Sequence, residues 1–355
     1  MLAVKTNLKN AEKVKNHLIK NNLINHDYLP VKEFDSIFFP LNETFKGSKT
    51  NKSSKAIKIP NAEVLDTKIK FDIKPHQKTI EVLLKDKLTK SELKLIPKSQ
   101  EMVGKIMILE VPEELAVKEK VIAEAYLQLN KQIETIVKKE RMHEGVYRTR
   151  KVKILAGKKT KETIHLENGV KIKLHLEKTY FSARSGNERM RIANLVKPGE
   201  EILVMFSGAG PYPLVLAKHT EAKKIVGIEL NILAHKYAVD NVTLNNFDDK
   251  INIFYGDVRK LVPKMKQKFD RILMPLPKTS EEFLDIALPK VKKNGMIHLY
   301  AFFNIKDLKE ETQKIINICN KLKFKVKIIR TVKCGQFSPG TFRWCFDLKK
   351  VNYAL

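Results

Sequence analysis

From about residue 193 the chain repeats one unit: a short apolar run, a turn, then apolar residues at helical spacing. Strand-like runs stand at Glu201 to Phe206, Lys224 to Glu229, Ile251 to Tyr255, Phe269 to Met274 and Met296 to Phe302. Strands separated by helices call for right-handed crossovers, and these build a parallel sheet covered by helices on both faces. Two further runs, Phe324 to Val332 and Thr341 to Leu348, flank a turn containing Gln336-Phe337-Ser338-Pro339-Gly340. They are expected to close the sheet as an antiparallel hairpin. Residues 193–355 are therefore expected to form one α/β domain.

The preceding sequence lacks that rhythm. Asn7 is placed to cap a helix whose Ala11, Val14 and Leu18 share one side, and Ile37-Phe38-Phe39-Pro40-Leu41 reads as a strand. Lys46 to Lys58, rich in Lys and Ser with no apolar period, reads as a linker, so residues 1–60 are expected to be a small N-terminal module. Residues 61–192 mix a helical pattern from His76 to Leu88 with strand-like stretches at 104–111, 147–155 and 163–176, which predicts an α+β middle domain.

The chain carries 68 Lys and Arg against 40 Asp and Glu, a net charge of +28 over 355 residues. Counterion release from nucleic acid would use that excess, and a solvated lysine-rich surface would equally produce it. The three cysteines, Cys319, Cys334 and Cys345, form no CxxC pair and predict neither a zinc site nor a disulfide framework. No metal is expected. The start is polar after Val4 and no window reaches about 18 apolar residues, so a cytoplasmic protein without a membrane anchor is expected.

Candidate ligand residues fall at the carboxyl ends of the strands. Phe206-Ser207-Gly208-Ala209-Gly210-Pro211 lets the backbone approach a ligand and offers helix N-terminal N–H donors, but Pro213 stands where a GxGxxG dinucleotide motif needs its third glycine. Glu229, ending the next strand, suits ribose hydroxyls or is a solvated strand end. Asp257, after Gly256, suits a base amino group or is a helix cap. The fourth strand ends in Met274-Pro275-Leu276-Pro277, a stiff segment that differs from the Asn/Asp-Pro-Pro-aromatic motif of amino-directed methyltransferases.

Four segments in this order resemble the archaeal and eukaryotic tRNA (guanine-37-N1) methyltransferases, including the archaeal branch that modifies wyosine precursors. They are Glu144-Gly145-Val146-Tyr147-Arg148-Thr149-Arg150, Tyr180-Phe181-Ser182-Ala183-Arg184 with Glu188-Arg189, Met205-Phe206-Ser207-Gly208-Ala209-Gly210, and Ser338-Pro339-Gly340. The resemblance spans nearly the whole chain. It implies a class I Rossmann-like methyltransferase domain with a mostly parallel seven-stranded sheet, S-adenosylmethionine as cofactor, tRNA as partner through its anticodon loop and outer corner, and a monomer. It also implies roles. Glu188 is the general base for guanine N1, and Arg148 contacts O6 or holds the site together. Tyr180, Phe181, Arg184, Arg150 and Pro275 face the substrate. Arg189, Phe206, Gly208, Gly210, Glu229, Leu230, Asp257, Val258 and Pro275 face the cofactor. Val204 and Pro275 depart from the family's Asp and Asn, which removes a side-chain hydrogen bond to cofactor or base.

Guanine N1 carries a proton at neutral pH, so its methylation needs a base near that proton and a donor for charge developing on O6. Asn187 is placed to cap a short helix with Glu188 in its first turn, which is also ordinary helix stabilisation. Arg148 is equally one member of a basic run. Three other readings stand beside guanine-N1 methylation: methylation of a wyosine intermediate, aminocarboxypropyl transfer from the same cofactor, and a tRNA-binding protein without catalysis.

Overall fold

The computed structural model describes residues 1–42, 59–73, 79–144, 149–276 and 278–351. The linker expected at Lys46 to Lys58, the motif residues Gly145 to Arg148 and Pro277 lie outside the described residues. Contacts divide the chain into two compact units, Met1–Thr79 and Ile80–Leu355.

In the first unit, strands Leu2–Asn7, Val31–Glu33, Ser36–Pro40 and Glu63–Asp66 form one antiparallel sheet. Asn7 does act as a cap: its side chain accepts from Lys9 N at the start of a 3-10 turn that leads into helix Ala11–Lys20. Val14 and Leu18, four apart and so on one helix face, pack on Leu2, Val4 and Phe39.

The second unit begins with two short helices, Ile80–Leu84 and Lys90–Lys94, followed by a four-stranded sheet of Glu101–Val103, Ile106–Leu109, Thr135–Glu144 and Thr149–Gly157. Its central pair is parallel because helix Glu119–Leu129 makes the crossover. Strand alternation splits its side chains: Met107 and Leu109 meet Ile122 and Tyr126 of that helix, whereas Ile106 and Ile108 join the core of the following α/β region. Residues 163–176, expected as one strand, are a hairpin of Glu162–Glu167 and Val170–His175 turning at Asn168-Gly169. Asn–Gly at that place supplies the two positive φ angles of a tight turn.

The α/β region has strands β1 (Glu201–Met205), β2 (Lys224–Glu229), β3 (Ile251–Tyr255), β4 (Phe269–Met274), β5 (Val291–Asn304), β6 (Val326–Ser338) and β7 (Thr341–Lys350). They form a seven-stranded sheet in the order 3-2-1-4-5-7-6. The pairs of β1 to β5 are parallel, and β7 lies antiparallel between β5 and β6. The last two strands run longer than expected. Gln336 to Ser338 belong to β6, so the hairpin turns only at Pro339-Gly340.

Ile202 and Val204 point to one face and its core, Leu203 and Met205 to the other. Near-continuous apolar strands of this kind are what a sheet covered on both faces requires. Among the described residues, no helix is long and apolar enough to cross a membrane.

Candidate active site

A cavity of about 210 Å³ opens at the carboxyl ends of β1, β2 and β4, beside the break in strand order where ligands settle in open α/β sheets. Its floor is the loop after β1. Phe206 sits at φ 59°, a left-handed conformation that costs an ordinary residue of order 1 kcal/mol, and Gly208 and Gly210 follow at φ 57° and 85°. Three such residues turn the chain sharply into helix Pro211–His219, with Gly210 at its N-cap. Strain concentrated at a cavity wall, with the Phe206 ring edge-on to Phe283, marks the loop as shaped for a ligand.

Glu229 ends β2 with its carboxylate facing this loop. It accepts from Gly208 N at 2.7 Å and Asn231 N at 2.8 Å. Burial pushes its pKa up, opposed by those backbone donors. Asp257 accepts from Arg259 N at 2.8 Å as the cap of a short helix, and it also lines the cavity. Leu230, Val258, Pro275 and Phe283 supply apolar walls, and Ser207 Oγ is buried without a partner. A carboxylate at one strand end, a second at the next, flat apolar walls and a spare hydroxyl fit the ribose, base and polar tail of a nucleoside such as S-adenosylmethionine.

The opposite end of the cavity is built by polar residues at alternate positions in two buried strands. His298, Tyr300 and Phe302 of β5 pair across the sheet with Asp347, Cys345 and Arg343 of β7. Period two puts these on one face, while Leu299, Ala301, Phe303, Trp344, Phe346 and Leu348 enter the core on the other. Helix Gly186–Ala193 supplies Glu188 and Arg191 to the same network. Ser185, not Asn187, occupies its N-cap; Asn187 is an exposed residue inside the first turn, and Glu188 follows it, buried.

Glu188 stands at the head of a buried hydrogen-bonded chain. Tyr300 donates to its Oε1 at 2.7 Å, and Tyr212 donates to Tyr300 at 2.9 Å. Arg191 forks onto both carboxylate oxygens at 2.7 and 2.8 Å and onto Asp347 at 2.8 and 3.2 Å. Asp347 contacts His298 Nδ1 at 2.6 Å, and His298 Nε2 contacts Arg271 Nη1 at 2.6 Å. Arginine can only donate, so Nε2 accepts and Nδ1 carries the proton toward Asp347. Arg271 is in turn forked onto Glu200.

Burial pushes His298 down despite Asp347 beside it. Burial would raise Asp347, but its bonds to His298 and Arg191 hold it well below the usual carboxylate range. Burial raises Tyr300, which therefore keeps its proton. The donor atoms of His298, Cys345 and Asp347 lie within 4.8 Å of one another, but both ring nitrogens and the carboxylate are engaged and two arginines adjoin them, which suits a hydrogen-bonded network and not a cation.

The expected site residues are distributed as follows. Tyr180, Phe181, Arg189, Phe206, Gly208, Glu229, Leu230, Asp257, Val258 and Pro275 line the cavity. Glu188 does not line it. It sits one hydrogen bond behind the wall, which Tyr300 forms. Gly210 shapes the loop without facing the cavity, and Arg184 is exposed. Arg150 is buried in a two-pronged ion pair with Glu101 at 3.1 and 3.2 Å. Arg189 is buried against Glu167 and lies over the Phe181 ring. Arg148 lies outside the described residues. Val204 is core, fully buried.

Sequence reasoning missed Tyr212, Tyr300, Arg343 and the His298–Asp347 pair. The available signal was polar residues at every second position within otherwise apolar strands.

Sheet order, the strained loop after β1 and the carboxylate ending β2 together define a class I methyltransferase domain. Comparison with known proteins agrees. Residues 163–329 match the TRM5/TYW2 methyltransferase domain, residues 80–160 the TYW2 N-terminal domain, and residues 3–49 the tRNA methyltransferase 5 N-terminal domain.

The chain is 30% identical over 349 residues to the Pyrococcus abyssi tRNA (guanine(37)-N(1))-methyltransferase Trm5b, covering 98% of each chain. The crystal structure of that enzyme superposes with a TM-score of 0.76 over 99% of this chain and 100% of its own. A complex of aTrm5 with tRNALeu matches at 27% identity and a TM-score of 0.70, over 99% of this chain and 100% of that one. A Pyrococcus horikoshii tRNA(Phe) (4-demethylwyosine(37)-C(7)) aminocarboxypropyltransferase is 30% identical over 278 residues, 78% of this chain and 97% of its own. The chain belongs to the TRM5/TYW2 family of S-adenosylmethionine-dependent methyltransferases.

Proposed function

We propose that this protein methylates N1 of guanosine 37 in tRNA, acting in the cytoplasm as a monomer. Residues 1–60 contact the outer corner of the tRNA, 61–192 carry RNA-binding and catalytic elements, and 193–355 bind the methyl donor. The observation that carries the reading is the position of Glu188. Its carboxylate is clamped by Arg191 and reaches the cavity through Tyr300, at the far end from Glu229 and Asp257.

S-adenosylmethionine supplies an electrophilic methyl group whose sulfonium charge needs no metal. Glu229 binds its ribose, Asp257 and Val258 its base, and Phe206, Gly208, Leu230 and Arg189 complete that half of the pocket. The purine leaves the anticodon stack so that its Watson–Crick edge enters the other half, between Tyr180, Phe181 and Pro275. The N1 proton reaches Glu188 through Tyr300, whose hydroxyl accepts it while giving its own proton to the carboxylate, and Arg148 donates to O6. Holding N1 in line with the methyl group provides much of the acceleration.

Transcripts bearing G or A at position 37 test this reading, with mass analysis of the product nucleosides. Transfer indifferent to that base overturns it. A second reading, aminocarboxypropyl transfer, draws on the match of residues 80–160 to the TYW2 N-terminal domain. The sulfur product separates the two: S-adenosylhomocysteine marks methyl transfer, and methylthioadenosine marks the alternative. A tRNA carrying the wyosine intermediate tests whether the methyl group goes there as well.

A further inference from the structure

Arg343 of β7 reaches the cavity wall beside Ser185, Tyr212 and Tyr300. Its Nη1 donates to Ser185 Oγ at 2.6 Å and its Nη2 to the Cys334 carbonyl at 3.3 Å. Its Nε is shielded from solvent and has no partner. The neighbouring arginines are neutralised: Arg189 by Glu167, Arg191 by Glu188 and Asp347, Arg271 by Glu200. No described carboxylate pairs with Arg343. A guanidinium stays charged at any working pH, so one that lines the cavity without a carboxylate partner leaves its charge and the second hydrogens of its Nη atoms to an electron-rich oxygen of a ligand.

The cavity position selects which oxygen. Arg343 adjoins Tyr300, and Tyr300 is hydrogen-bonded to Glu188. A purine presenting its acidic ring nitrogen to Tyr300, and through it to Glu188, presents the neighbouring exocyclic oxygen beside it, on the same edge. When the N1–H bond breaks, the proton passes to the Tyr300 hydroxyl as Tyr300 gives its own proton to Glu188, and the electron pair stays on the ring, shared between N1 and O6. That charge develops within a wall whose uncommitted cation, among the described residues, is Arg343.

We propose that Arg343 is a catalytic residue of this site, donating to O6 of the bound purine as N1 loses its proton. The inference rests on the guanine-N1 reading. It adds a donor from the last hairpin to the one that the resemblance assigns to Arg148, so that O6 is held from two sides. Preorganised donors of this kind act where charge develops and strengthen as it does.

The test is Arg343→Met, which keeps volume, with Arg343→Ala and Arg343→Lys beside it. Single-turnover methylation of a G37 transcript should fall by about a hundredfold in Arg343→Met, as loss of one such donor does. S-adenosylmethionine affinity by calorimetry and the circular dichroism spectrum should stay as in wild type. Free guanidinium should restore part of the Arg343→Ala rate with saturation, and Arg343→Lys should fall between.

A Met variant within a few-fold of the wild-type rate overturns the inference. So does a cofactor affinity that falls in step with the rate, which would make the methionine carboxylate the anion. If Met and Ala unfold, a Lys variant with unchanged single-turnover rate overturns it on its own. A wild-type protein that methylates no G37 transcript overturns the functional reading and this inference together, whereas an active wild type with an unaffected variant overturns the inference alone.

Discussion

Glu188→Gln is the substitution on which the proposed chemistry turns. Glutamine keeps one carbonyl oxygen for Tyr300 and Arg191 Nη2 but turns an amide N–H₂ toward Arg191 Nε, where Oε2 now accepts at 2.7 Å. Arg191 keeps its fork to Asp347, so no buried charge is stranded, and the stability cost should be that of one charge-assisted contact, about 1.5–3 kcal/mol. The rate should suffer more. A positioned general base contributes roughly 10²–10⁴-fold, or about 2.7–5.4 kcal/mol of barrier.

The assay is single-turnover methylation with enzyme in excess over a G37 transcript, which removes product release, run from neutral to alkaline pH. Without its base the variant must wait for solvent to take the N1 proton, so its rate should climb with pH more steeply than wild type. Tyr300→Phe should fall about as far, since it removes the hydroxyl through which Glu188 reaches the cavity. A Glu188→Gln rate within about threefold of wild type would refute the reasoning, whatever the protein's stability.

Arg150→Met separates a structural role from a substrate-facing one: among the described residues it leaves Glu101 only Lys139 at 3.4 Å, and should cost about 3 kcal/mol by urea denaturation while kcat at saturating tRNA holds. Normal stability with weakened tRNA affinity would reverse that assignment. His298 is fully buried and its folded pKa lies below the unfolded value of about 6.5, so on acidification the unfolded chain binds a proton first. Stability should therefore decline from about pH 6.5 downward, by up to about 1.4 kcal/mol per pH unit from this residue alone. His165 and His175, also lowered by burial, act in the same direction. Urea titrations at pH 7.5 and 5.5 should show a smaller difference in His298→Gln, and an unchanged difference would count against this origin.

The α/β half of the chain was legible because its signals are local and redundant. The first four strands of the sheet are apolar runs bounded by turns, and their observed limits agree with the sequence to within a residue. The carboxylates at their ends that line the cavity, Glu229 and Asp257, were equally readable from the strand and turn pattern. What escaped was non-local. Arg150 looked like part of a basic run because Glu101, the residue that neutralises it, lies 49 positions earlier. Glu188 looked like a wall residue because Tyr300, which stands between it and the cavity, is 112 positions later. The hairpin at 163–176 read as a single strand because both arms alternate in the same phase across Asn168-Gly169, and only the pairing shows the reversal. The polar face of β5 and β7 was hidden for a related reason. His298 and Tyr300 in one strand, Arg343 and Asp347 in the other, acquire meaning only once strand order makes them neighbours.

That cross-strand arrangement bears on Pro275. Proline there has no side-chain donor, and the segment is held from behind by Ser280 Oγ donating to the Met274 carbonyl at 2.9 Å and by Leu276 N donating to the same oxygen at 2.8 Å. Neither bond uses residue 275, so Pro275→Asn should fold normally while adding an amide to the cavity wall. If Arg343 does in this chain what the resemblance assigns to an asparagine at 275, the added amide is redundant while Arg343 is present. Pro275→Asn alone should then change the single-turnover rate by less than about threefold, yet raise the rate of Arg343→Ala by roughly tenfold, a coupling of about 1.4 kcal/mol. Residues that serve one atom couple in this way, whereas residues serving separate atoms add independently. Equal effects of Pro275→Asn in both backgrounds would mean that Arg343 and the family's missing amide act on different atoms, and the substitution at 275 would then need another explanation.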